Sequence, residues 1–112
     1  MGQERIDFDI VRKIGLELPD VVDASVHGGA ALKLRGRLLA CQTMHKSAEP
    51  NSLMLRVSFD ERERLLAADP DTYYMTDHYA KYPSILVRLE QIDRSALEEV
   101  MGAAWRFLME KR

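Results

Sequence analysis

The sequence predicts an α+β fold of two layers, an antiparallel sheet with helices on one face. Three observations carry this expectation. Several short segments alternate apolar and polar residues with the period of a strand, and three others place apolar residues at helical spacing. Their order runs helix, three or four strands, helix, two strands, helix, with hairpin signals between neighbouring strands.

The first helix follows Asp7, a good N-cap, and sets Ile10, Val11, Ile14 and Leu18 on one face before Pro19 closes it. Ile6 and Val11 stand where a hydrophobic staple would lie. "VVDASVHGG" reads as a strand ending at its glycines, and "ALKLRGRLLACQ" as a hairpin turning at Gly36. After the loop "HKSAEPNS", the strand "SLMLRVS" points Leu53, Leu55 and Val57 one way and Met54 and Arg56 the other. Ser58 and Glu61 have the spacing of a capping box, starting a helix that ends before Pro70. "TYYMT" and "SILVRL" form a second hairpin around "TDHYAKYP", where Pro83 makes Tyr82 extended and suits the start of a strand. The last helix is capped by Asp93, can staple through Ile92 and Leu97, and carries a stripe of Leu97, Val100, Met101, Ala104, Trp105 and Leu108 that predicts burial of Trp105.

Composition narrows the function classes. A length of 112 residues suits a single domain with one core, and 46% hydrophobic with 30% charged residues is an ordinary globular balance. No apolar run approaches the roughly 20 residues that span a bilayer, so no membrane partner is expected. The N-terminal "MGQERIDFD" lacks signal-peptide character, and Ile6 stands where a myristoylation pattern requires Ser or Thr. One cysteine permits no internal disulfide and suits a reducing compartment, so the expected location is cytoplasmic.

Catalytic patterns are lacking. His27, His45 and His78 are scattered, and Cys41 and His45, at one parity on an extended strand, lie roughly 13 Å apart, too far to share a tetrahedral metal. Cys41 reads as a small core residue within "LLACQ". The paired carboxylates of "DERER" and "LEEV" suit solvated helix faces, and no glycine pattern matches a phosphate loop. The expectation is a protein without enzymatic activity, cofactor or metal.

"HGGAALKLRGRLLA", "TDHYAKYPSILVRL" and "GAAWRFL" resemble, in order and spacing, three marked segments of the MmcQ/YjbR family, a likeness running from about Phe8 to Leu108. The resemblance implies a small α/β protein with a fold similar to type III secretion chaperones. It also implies the family's label of predicted DNA-binding "double wing" proteins, and carries over no catalytic residues to this sequence.

Charge layout names candidate contacts. Ala24 to Ser58 holds five basic residues against one acid, while the mostly helical remainder outside Thr72 to Ile92 holds nine bases against fifteen acids. Strand parity places Lys33, Arg35, Arg56 and Arg88 on the face away from the helices, with Met54, Leu86 and Tyr74. Such a face can carry nucleic acid, pair two copies of the chain, or be a solvated surface dressed with cations. In the wing picture the two tips carry Arg35 and Arg37, and Lys81 with His78 and Tyr79, ready for phosphates and bases. Two functions stay open: a DNA-binding module, or a protein- or small-ligand-binding module, homodimeric and chaperone-like. The ligand reading calls for a pocket lined by His27, His78 and tyrosines.

Overall fold

A computed structural model describes residues 5–110; the N-terminal reading above begins with Met1 to Glu4, which lie outside them. The elements in chain order are α1 (Phe8–Leu16), β1 (Val21–Val26), β2 (Gly29–Leu34), β3 (Arg37–Gln42), β4 (Ser52–Arg56), α2 (Phe59–Ala68), β5 (Tyr73–Tyr74), α3 (Asp77–Ala80), β6 (Ser84–Arg88) and α4 (Arg94–Glu110). The strands make one six-stranded sheet in the order β1-β2-β3-β4-β6-β5, with every neighbouring pair antiparallel. The chain thus has the α+β architecture that its sequence pattern predicts.

Local chemistry sets the element ends. Asp7 accepts from the Ile10 amide, Ser58 from the Glu61 amide and Asp93 from the Ala96 amide, each filling an orphan donor in a first helical turn. Ile6, Val11, Ile92 and Leu97 are all buried, as two hydrophobic staples require. Two tight turns shape the first three strands. His27 and Gly28, then Arg35 and Gly36, have φ of 52°, 81°, 53° and 82°. Paired left-handed residues fit a type I′ hairpin, whose twist matches that of the strands, and glycine takes the second position without a Cβ clash.

The main core lies between the sheet and α1, α2 and α4. Val11 and Ile14 of α1, Leu65 of α2 and Leu97, Met101 and Ala104 of α4 close over Leu32, Leu34, Leu53, Leu55, Ile85 and Val87. A bulge modifies the alternation on β3. Lys33 pairs with Leu38 while Leu32 pairs with Ala40, so Leu39 is an extra residue. Leu39 and Ala40 both enter this core, and Cys41, paired with Ala31 and Met54, belongs to the opposite face.

Two expectations need correction. Trp105 is half-buried at the edge of the α4 stripe, where its indole Nε1 donates to the Pro19 carbonyl at 2.9 Å. A ring with an N–H to satisfy settles where one end reaches an acceptor. The stretch from Thr76 to Pro83 is also no protruding tip: it contains α3, folded onto the sheet face that α1, α2 and α4 leave open. Pro83 behaves as expected, its carbonyl accepting from the Val57 amide just before β6 begins. Among the described residues no helix is long and apolar enough to cross a membrane.

Candidate functional site

The open face of the sheet is divided by what covers it. At one end Arg88 sits over the Tyr74 ring at 4.3 Å, pairs with both carboxylate oxygens of Glu49 at 2.8 Å and donates to the Pro70 and Asp71 carbonyls. That pairing holds the Glu49 carboxyl below the usual carboxylate range, through the hydrogen bond first and charge second. Arg88 is therefore a tie between loops. At the middle Leu86 is fully covered. Toward the other end a cavity of about 550 Å³ opens beside α3.

Each wall of this cavity traces to a local cause. The floor is apolar: Val26 from β1, Leu38 and Cys41 from β3, and Met54 from β4. Cys41 and Met54 are register partners, so antiparallel pairing alone puts them side by side on one face. Met44 and His45, leaving β3, form a rim with His27 of the first hairpin turn. The far side comes from α3 and its exit, through His78, Tyr79, Tyr82 and Ser84.

Side-chain contacts hold α3 against the face. The His45 and His78 rings stack with centroids 3.5 Å apart and planes 6° from parallel. Tyr79 stands edge-on to both, at 6.3 Å and 4.9 Å. Ser47 Oγ and Thr76 Oγ1 share a hydrogen bond at 3.0 Å, tying the loop after β3 to the start of α3. From the helical layer, buried Arg62 reaches the exit of α3 and donates to the carbonyls of Ala80, Tyr82 and Ser84 at 3.2, 3.1 and 3.4 Å. The Ser84 hydroxyl donates to the Tyr79 and Tyr82 carbonyls, so it braces the wall.

The cavity is electrostatically one-sided. Arg56 lines it with His27, His45 and His78, and no carboxylate is among its lining residues. The Arg56 guanidinium lies over the Tyr82 ring, 5.6 Å from its centroid, a cation–π contact, and no acid among the described residues pairs with it. Burial pushes the Cys41 thiol up, against an opposing pull from Arg56, which favours a neutral thiol on the floor. Burial likewise pushes the Tyr79 phenol up. Among the described residues no group of three His, Cys, Asp or Glu side chains could hold a metal ion.

The candidate residues named from sequence therefore separate. Arg56, His78 and Tyr79 meet at the cavity with His27. Lys33 is half-buried on the open face, between its partners Val22 and Leu38. Arg35 pairs with Asp20 at 2.8 Å. Arg37 donates to the Leu108 carbonyl near the end of α4 at 3.4 Å, so these two turn arginines do not join the His78–Tyr79 cluster. Lys81 is exposed just beyond α3. Missed in the sequence were Cys41, Met44, His45, Met54, Tyr82 and Ser84 as one lining. For Cys41 a signal existed, because any antiparallel pairing of "LLACQ" with "SLMLRVS" sets one residue of each beside the other; the loop that delivers His45 carries none.

No family model matches the chain. A stretch of 41 residues is 44% identical to uncharacterized proteins of Mycobacterium bovis and Mycobacterium tuberculosis, covering 37% of this chain and 32% of theirs. The matched stretch thus spans about a third of the length of these curated relatives. Among solved structures, a Deinococcus radiodurans protein with a DUF419 domain superposes with a TM-score of 0.78 at 20% identity, covering 96% of this chain and 81% of that one. The chain therefore shares the fold of this DUF419-domain protein.

Proposed function

We propose that this protein is a non-enzymatic module that binds a small molecule in the cavity between α3 and the open face of the sheet, and that it belongs to the MmcQ/YjbR family. Family membership is supported by the three resembling sequence segments together with the DUF419-type fold.

The cavity itself carries the functional reading. Its volume of about 550 Å³ falls in the range of small-molecule sites, roughly 300–1,000 Å³, which combine apolar lining with a few convergent polar groups. Met44 and Met54 supply adaptable apolar surface, and Arg56, His45, His78 and Tyr79 supply the polar groups. The DNA-binding reading draws on cations of the same face, but Arg88 is engaged by Glu49 and Arg35 by Asp20.

A fragment screen followed by amide NMR tests the reading. Binders should shift the Cys41, Met54 and Ser84 amides and leave Glu98 and Gly102 on α4 in place. A screen whose hits scatter over the helical layer, or that finds none, overturns it.

A further inference from the structure

Resting on the cavity reading above, we infer that the ligand is a small organic anion: a flat or aliphatic apolar body carrying one carboxylate or phosphate, the body lying on Cys41 and Met54 and the anion meeting Arg56.

Charge complementarity is the first ground. Among the described residues, Arg12, Arg35, Arg64, Arg88 and Arg94 pair with carboxylates at 2.6 to 3.4 Å, and Arg62 approaches Glu63 at 3.9 Å. Arg56 is set differently: it rests on the Tyr82 ring, has no carboxylate partner among the described residues, and lines a cavity with three histidines and no acid. A guanidinium resting on a ring keeps its N–H edge available, and that edge matches a carboxylate or phosphate in a two-pronged hydrogen bond. An apolar surround strengthens such a contact, because less water competes for the anion.

Placement is the second ground. Arg56 is the last residue of β4 and Met54 lies two residues earlier on the same face, with Cys41 directly beside Met54. Successive same-face residues are about 6–7 Å apart on a strand. A ligand whose anion meets Arg56 therefore has its adjoining carbons over Met54 and Cys41. The stacked imidazoles and the edge-on Tyr79 close the side of that space with ring surface, which suits a flat body.

The test compares naphthalene carboxylate with naphthalene carboxamide, nearly equal in shape and different in charge, and adds naphthyl phosphate. Each is titrated at neutral pH and low salt while the Cys41 and Met54 amides are followed by NMR. The carboxylate should bind about tenfold tighter than the amide, as expected of one charge-assisted contact. Arg56→Gln should bring the ratio close to one, and Arg56→Lys should retain part of the preference. Phosphate binding tighter than carboxylate assigns the anion to phosphate esters, and the reverse order assigns it to carboxylic acids. Equal binding of acid and amide to the wild type overturns the anion inference and leaves the cavity reading standing. So does a preference that survives Arg56→Gln in a variant with an unchanged melting temperature. If none of the three compounds moves the Cys41 and Met54 amides, the cavity reading falls and the inference falls with it.

Discussion

At the scale of single residues, the His45–His78 stack links the cavity to pH. Removal of water around the ring, then the charge of His78, then that of Lys46 hold the His45 pKa below the ordinary imidazole value. Its depressed value means that the unfolded chain takes up this proton first as pH falls. The ring costs the fold nothing above the ordinary imidazole range, and a destabilisation sets in as pH drops below that range toward the folded value. NMR titration of the imidazole protons should therefore give His45 a midpoint below that of free histidine. Removing the neighbouring charge by His78→Ala should raise that midpoint, and a midpoint indifferent to His78 would show that the stack carries no electrostatic coupling. Nothing in the sequence announces this pair. The two residues are 33 positions apart, and neither their spacing nor their flanks encodes the loop path that brings His45 over α3.

At the scale of elements, the helix layer holds the cavity wall through Arg62. This residue is buried on α2, packs over the Phe59 ring at 4.8 Å and gives its guanidinium protons to carbonyls on the exit from α3. Arg62→Ala would leave those acceptors without their charged donor, a loss of about 2–3 kcal/mol. Denaturant unfolding should show that loss, and hydrogen exchange should speed across 77–83 before the rest of the chain opens. Arg62→Lys should restore little, because one ammonium cannot reproduce the planar fork. Stability and exchange unchanged in Arg62→Ala would remove this role. The sequence makes the elements themselves legible: caps at Asp7, Ser58 and Asp93 and the alternation in "SLMLRVS" report local physics directly. Less legible are features decided by tertiary contacts. The bulge at Leu39 arises in a run with no glycine to mark it. The single turn of α3 is stabilised by His45, Ser47 and Arg62, all remote in sequence.

At the scale of the whole molecule, the distribution of free charge decides how a polyanion would be met. The sequence places a basic segment against an acidic helical layer, and parity puts Arg56 and Arg88 on one face. Pairing then changes the field those residues project. Arg88 lies against Glu49 and Arg35 against Asp20, while Arg37 is turned to the end of α4, where a cation complements orphan carbonyls. Among the described residues Lys33 and Arg56 are cations of this face without a carboxylate contact, and β3 lies between their strands. Two phosphate contacts give a slope of about −2 in log affinity against log salt on duplex DNA, whereas a site gripping six or more gives about −5 or steeper. We predict weak duplex binding with the shallow slope, measured by fluorescence anisotropy across a salt series. Removing the pair together, by Arg35→Ala with Asp20→Ala, should leave even that binding nearly unchanged, because the two charges already cancel, and Arg56→Glu should abolish it. A slope near −5, with Arg35→Glu and Arg37→Glu each weakening duplexes of every sequence alike, would instead restore the two turn arginines as phosphate contacts. That result would make the basic segment, and not the cavity beside α3, the surface on which this protein meets its partner.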